Sequence, residues 1–199
     1  MQRIVLASSN PGKLKEFGAL LADSGLEVVP QGSLGIGDAE ETGLTFVENA
    51  LLKARHAAQA SGLPALADDS GLCVGHLHGA PGLYSARYSG RHGDAAANNA
   101  RLLHELDGVP TEQRGAFFIC VLVLLQHADA PAPLIAEARW HGRILTESRG
   151  SGGFGYNPVF LPDGYEQSVA EMNDALKNRL SHRGQALALL HDRLREIHA

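Results

Sequence analysis

Long apolar runs are missing from this chain of 199 residues, 44% of them apolar and 20% charged. The apolar run at Ile119 to Leu125 is too short to span a bilayer. Cysteine is scarce. Cys73 and Cys120 both sit in apolar stretches, where buried reduced thiols are expected rather than a disulfide. Runs of like charge are absent, the net charge is -5, and no basic patch marks a duplex-binding surface. Any phosphate must therefore be held locally by a few placed Lys and Arg. Zinc spacing is missing too: among ten histidines only His76-x-His78 is close, with no Cys or carboxylate partner. No serine or cysteine nucleophile with a base partner stands out. Met1-Gln2-Arg3 leads straight into a strand-like run without a secretory signal, so a cytoplasmic enzyme is expected.

The length suits one domain or two tightly joined lobes, and no repeat or disordered linker divides it. A single domain over 1–199 is expected. Ile4 to Ala7 reads as a buried strand. Lys13 to Ala22 follows with Leu14, Phe17 and Leu21 at helical spacing, and a second strand begins at Val28. Thr45-x-x-Glu48 is a capping box that opens an alanine-rich helix to Ala60, ended by Gly62 and Pro64. A strand at Ala65 to Ala67 is expected to deliver Asp68 and Asp69 at its end, with a further strand from Leu72 to Leu77. Gly79 to Gly93 is loop-rich and Ala95 to Leu106 helical. Ala116 to Gln126 is the strongest strand, and Leu134 to His141 alternates as a half-buried antiparallel strand does. A short strand at Pro158 to Leu161 precedes a second capping box, Ser168-x-x-Glu171. The closing helix, Gly184 to His198, places Leu187, Leu190, Leu194 and Ile197 on one face. Interleaved helices and strands predict an α/β fold with a mixed sheet flanked by helices.

Five polar, glycine-bearing blocks punctuate these elements. Ser8-Ser9-Asn10-Pro11-Gly12-Lys13 lies between a strand and a helix, where free N–H groups and the macrodipole attract phosphate. It is not a Walker A loop, since Leu14 follows the lysine. Glu40-Glu41 precedes a helix and suits either its dipole or a cation. Asp68-Asp69-Ser70-Gly71 pairs two carboxylates whose repulsion a cation would relieve, and such oxygen ligands suit Mg²⁺. Lys53 and Lys177 are compatible with phosphate contact or a solvated surface. In Gly152-Gly153-Phe154-Gly155-Tyr156-Asn157 an aromatic on a glycine loop can stack on a purine or fill the core. His182-Arg183 can donate to a base carbonyl or simply start a helix.

Taken in order, these blocks resemble the inosine/xanthosine triphosphate pyrophosphatase (Ham1-like) family. The matching stretches are S-x-N-x-x-K at Ser8–Lys13, E-T-G-x-T-F-x-E-N-A at Glu41–Ala50, A-D-D-S-G-L at Ala67–Leu72, P-G-x-Y-S-A-R-Y at Pro81–Tyr88, G-G-F-G-Y at Gly152–Tyr156 and S-H-R at Ser181–Arg183. The resemblance implies an elongated, two-lobed α/β fold with a central active-site cleft, a homodimer, and Mg²⁺-dependent hydrolysis of ITP, dITP and XTP to monophosphate and pyrophosphate. It implies Asp69 as general base, and Glu40 or Glu41 with Asp68 and Asp69 as the Mg²⁺ site. It implies Ser8, Ser9, Asn10, Pro11, Gly12, Lys13, Lys53 and Ser70 around phosphates and sugar. Phe154, Gly155, Tyr156, Asn157, Lys177, His182 and Arg183 would hold the nucleotide, chiefly at the base. Several relatives carry Asp where this chain has Asn157, and Asn adds a donor that ionised Asp lacks.

The chemistry expected is water attack on the α-phosphorus, with Asp69 taking the proton and lysines and metal neutralising the leaving oxygens. Hypoxanthine and xanthine present a carbonyl at C6 where adenine presents an amino donor. Donors from Arg183, His182 or a backbone N–H would select the former. Two rivals stand beside this reading: a Maf-like pyrophosphatase for pyrimidine or methylated nucleotides, and a nucleotide-binding sensor without catalysis.

Overall fold

The computed structural model of the chain describes residues 2–22 and 25–198, with side chains for 3–22 and 25–194. Six strands, β1 (Gln2–Ala7), β2 (Leu26–Pro30), β3 (Ala65–Val74), β4 (Gly115–Leu125), β5 (Leu134–Ile144) and β6 (Phe160–Pro162), form one sheet in the order β2-β1-β3-β4-β5-β6. The helices are α1 (Pro11–Leu21), α2 (Phe46–Ser61), α3 (Ala95–Glu105), α4 (Asp174–Leu180) and α5 (His182–His198). The expected mixed α/β class is what the chain adopts. β1 pairs parallel with both β2 and β3, while β5 pairs antiparallel with β6. Among the described residues no helix is long and apolar enough to cross a membrane.

Two compact units divide the chain: residues 1–69, 120–138 and 183–199, and residues 70–119 and 139–182. In the first, Ile4, Leu6, Phe17, Leu66, Cys120, Leu122, Ala186 and Leu190 form one apolar cluster. Leu190 lies on the α5 face read from the sequence, and Leu187 and Leu194 pack beside it; the side chain of Ile197 lies outside the described residues. In the second unit, Leu72, Val74, Leu102, Leu106, Phe118, Trp140, Ile144 and Phe160 form another cluster. Along β5, burial alternates strictly from Ala136 to Ile144, as its sequence does.

Local signals explain most element boundaries. Thr45 caps α2, its side chain accepting from the Glu48 N–H, and Gly62 ends the helix in the left-handed conformation. Both arms of the Ser168/Glu171 capping box form, although they cap one 3-10 turn rather than a long helix. One expectation fails. Ala65 to Val74 is a single continuous strand, so Asp68 and Asp69 stand in its middle and not at its end, and 75–77 is a 3-10 turn. β3 continues because Leu72 and Val74 carry it into the second apolar cluster, where both are fully buried.

The second unit is tied by Arg114, only 3% exposed, whose guanidinium donates to the carbonyls of Leu106, Ile144 and Leu145 at 2.7, 2.8 and 2.6 Å. It satisfies carbonyls just past α3 and at the end of β5 with one side chain. Replacing Arg114 with Met strands those buried acceptors, and the unfolding free energy should fall by about 3 kcal/mol. Urea denaturation of R114M against the wild-type chain measures it.

Candidate active site

In the first unit the chain runs from β1 through α1 to β2 on one side of β1, then returns through α2 to β3 on the other. The strand order thus reverses at β1/β3. Ligands of parallel α/β sheets bind beyond the carboxyl ends of strands at such a switch point. The register pairs Ala7 with Ala67, so the Ser8–Lys13 turn leaves β1 level with the start of the acidic pair. Asn10 caps α1 by accepting the Lys13 N–H at 3.1 Å, and Pro11 and Gly12 form the first turn. Ser8 is buried and accepts the Asn10 N–H at 3.3 Å. Ser9 donates to Asp38 at 2.6 Å, and Gln31 braces the same carboxylate at 2.6 Å.

Successive residues of a strand face opposite sides. Asp68 therefore shares the face of Leu66, toward Phe17 and Cys120, while Asp69 takes the face of Ala67. The repulsion expected between neighbouring carboxylates does not arise in that form, because each meets its own cation. Asp68, with a fully buried side chain, pairs with the Lys13 ammonium and, at 3.3 Å, with Nε of Arg183. Cys120 Sγ donates to it at 3.0 Å. Burial opposes its ionisation, but Lys13 and Arg183 outweigh burial and hold its pKa far below the usual carboxylate range. Arg183 in turn binds Glu16, a carboxylate buried on α1, and lies over the Phe17 ring at 5.7 Å.

On the other face, Lys53 of α2 holds its Nζ 2.8 Å from Asp69 Oδ1 and 3.0 Å from Glu41 Oε1. Burial works against the Lys53 charge, but Asp69, Asp68 and Glu41 together raise its pKa, so it is ionised at neutral pH. Burial is the main reason that the Asp69 pKa is raised, with Lys53 and Lys13 pulling the other way. Glu41 is thus the residue of the Glu40-Glu41 pair brought to Asp69; Glu40 is exposed. The turn that carries Glu41 is fixed by buried Asn49, whose Oδ1 accepts the Gly43 N–H at 2.8 Å.

The second unit presents the aromatic loop. Phe154 is 39% exposed, and the Lys177 ammonium stands 5.4 Å from its ring centre. Glycine is required beside it: a Cβ on Gly153 would meet the Asn157 amide and come within 3.3 Å of Lys177 Nζ, at a φ of 75°. Asn157 is buried, and its Nδ2 has no hydrogen-bond partner among the described residues. Tyr156 is a tether more than a ligand surface. It is 4% exposed and donates through its hydroxyl to the Ser85 carbonyl at 2.9 Å, while burial pushes its pKa well up. The Gly155 carbonyl accepts from Asn99 Nδ2 at 3.1 Å. The His182 ring stacks on Phe118 at 4.9 Å. Ser70 lies in β3, half-buried.

Asp68, expected in the acidic metal set with Asp69, meets Lys13, Arg183 and Cys120 through its two oxygens. Arg183, expected to donate to the base, is 2% exposed and turned to two carboxylates. Tyr156 is held from the surface by packing. Residues that the sequence reading passed over are Glu16, Asn49, Asn98 and Asn99. One signal for the last two was legible: adjacent asparagines inside a helix are poor helix formers and need another reason to be there.

Asp69 and Glu41 are the oxygen donors that a hard cation could use; both face the Lys53 ammonium, and among the described residues no group of three or more His, Cys, Asp or Glu could hold a metal ion. The buried cluster has its own consequence. Asp68 has a depressed folded pKa, so its contribution to stability is complete above the unfolded value of about 3.9 and is lost as pH falls toward the folded value. Asp68→Asn should lower stability by about 3 kcal/mol at pH 7, by leaving buried cations uncompensated. The gap to wild type should narrow below about pH 4. Denaturant titrations of both chains from pH 7 to pH 3 read this.

The Ham1 family model matches residues 4–193. A dITP/XTP pyrophosphatase of Xanthomonas oryzae pv. oryzae is 61% identical over 197 residues, covering 99% of each chain. A solved HAM1 protein of Coxiella burnetii superposes with a TM-score of 0.90 at 46% identity, over 98% of this chain and all (100%) of that one. The Ham1 protein of Staphylococcus aureus gives 0.86 at 36% identity, over 98% of this chain and 99% of that one. With its fold, its ordered motifs and its full-length relatives in agreement, the chain belongs to the Ham1 family.

Proposed function

We propose that this protein hydrolyses non-standard purine nucleoside triphosphates, ITP, dITP and XTP, to the monophosphate and pyrophosphate. It thereby keeps deaminated purines out of DNA and RNA. The observation that carries the reading is the Lys53 ammonium held between Asp69 and Glu41, in a chain 61% identical to a dITP/XTP pyrophosphatase. Family membership favours this over the Maf-like alternative.

Asp69 is the general base. Its raised pKa makes it a better proton acceptor than an ordinary carboxylate, and Lys53 orients it through the 2.8 Å contact. Lys13, at the third position of α1, adds its charge to the helix N-terminus that receives the triphosphate. Ser8, Ser9, Asn10, Pro11, Gly12 and Ser70 complete the phosphate and sugar contacts. Glu41 and Asp69 hold Mg²⁺, which when bound supplies charge neutralisation to the phosphate oxygens.

The base end falls to Phe154, Gly155, Asn157, Lys177 and His182. Stacking on Phe154 serves any purine. Discrimination rests on donors, and Asn157 Nδ2 and Lys177 Nζ are buried donors beside that ring loop. Both suit the carbonyl of hypoxanthine or xanthine and not the amino group of adenine. A mismatched donor left buried costs about 1–3 kcal/mol, roughly ten- to hundredfold in selectivity. Homodimerisation and a cytoplasmic site of action belong to the same reading.

Pyrophosphate release from ITP, dITP, XTP, ATP and GTP, with and without Mg²⁺, tests it. Metal-dependent release from the first three, with little from ATP, is expected; guanine carries the same C6 carbonyl, so rejection of GTP must come from contacts around C2. Binding of ITP without release would leave a sensor in its place. Asp69→Asn should lower kcat by about a hundredfold or more while KM changes little. Protonating Asp69 disables the base, so the rate should fall with decreasing pH; in the metal-free protein burial holds the Asp69 pKa above the ordinary value of about 3.9, and a bound cation would lower it.

A further inference from the structure

Between α3 and the aromatic loop lies a cavity of about 480 Å³, walled by small residues: Ala95, Ala96 and Ala100 on the helix, Gly152, Gly153 and Gly155 on the loop. Leu103 of the helix, with Phe154 and Pro158 of the loop, supplies the apolar part of the wall. Asn99 lines the same cavity, and its Nδ2 donates to the Gly155 carbonyl at 3.1 Å.

The choice of residue is informative. Asn99 is 8% exposed, and its Oδ1 is buried with no hydrogen-bond partner among the described residues. Burying an unmatched acceptor is unfavourable, and asparagine is a poor residue for a helix interior. An apolar side chain would serve stability at least as well, so the amide is explained by what its donor holds. Gly155 adjoins Phe154, so the bond acts one residue from the ring. The neighbouring Asn98 braces the other anchor of the loop. It donates to the carbonyls of Ser85 and Ala86 at 3.4 and 3.3 Å and accepts the Ser89 N–H at 2.7 Å, fixing the turn whose Ser85 carbonyl receives Tyr156.

The geometry points to Asn99 as a positioning residue for base recognition: its amide, bonded to the Gly155 carbonyl across a cavity, sets where the Phe154 ring stands. This rests on the reading of Phe154 as the purine platform. Asn99 touches no substrate; it acts through the loop.

A double-mutant cycle on Asn99→Ala and Phe154→Ala, with ITP as substrate, tests the assignment. N99A should raise KM about fivefold in the wild-type background, the worth of one hydrogen bond, with kcat within about twofold. In the F154A background it should raise KM hardly at all, because the ring it positions is gone. Asn99→Asp, which when ionised sets an acceptor against the Gly155 carbonyl, should raise KM at least as far as N99A does. Independently of any substrate, backbone amides of 152–156 should exchange hydrogen faster in N99A, while those of β4 keep wild-type protection. Unchanged KM, equal KM effects in both backgrounds, or faster exchange spread over the whole unit would overturn the assignment. If the wild-type chain released no pyrophosphate from ITP, the nucleotide reading would fall instead, and the exchange measurement would still decide whether Asn99 holds the loop.

Discussion

A buried carboxylate, Asp68, organises the first unit. Its oxygens gather Lys13 from α1, Arg183 from the start of α5 and the Cys120 thiol from β4. Glu16 closes the cluster on the far side of the guanidinium. Two acids and two bases under an apolar cluster are tolerable only when every charge has its counterpart. That requirement fixes the rotation of α1 and the entry of α5, and it brings the Lys13 ammonium to the strand that carries Asp69. The Asp69 face of β3 inherits its geometry from the opposite face.

The same strand thus does two jobs through alternation alone. One carboxylate is kept ionised by surrounding cations; the next is raised by burial and shared with Lys53 and Glu41. Neighbours in sequence acquire different acidities because they look at different environments. The second unit adds polar tethers to its apolar cluster. Arg114 satisfies the carbonyls of Leu106, Ile144 and Leu145, Tyr156 reaches Ser85, and Asn99 reaches Gly155. A glycine-rich loop has few side chains with which to pack, so hydrogen bonds from rigid elements must place it.

Much of this was legible in the residues. Helices with caps or strong periodicity, such as α2 and α5, and strands with strict alternation, such as β5, fall close to where the patterns put them. The Ser8–Lys13 turn was legible as a helix start. The continuity of β3 was not, because charged residues in a row read as a turn, whereas here each is paired and buried inside one strand. Nor was the burial of Arg183, because an exposed arginine at a helix start and a buried one have the same neighbours in sequence.

What the order of residues determined by itself was the family, the kinds of element and the inventory of charged groups, since motifs, caps and periodicities are short-range properties of the chain. Tertiary structure alone decided which charge meets which. Asp68 and Arg183 are 115 residues apart, and Asp69 finds Lys53 across 16. Such pairings depend on strand register, on the face that alternation assigns and on the rotation of a helix about its axis. Only the packed chain sets these, because the free energy of burying a charge without its partner selects the one arrangement in which all are paired.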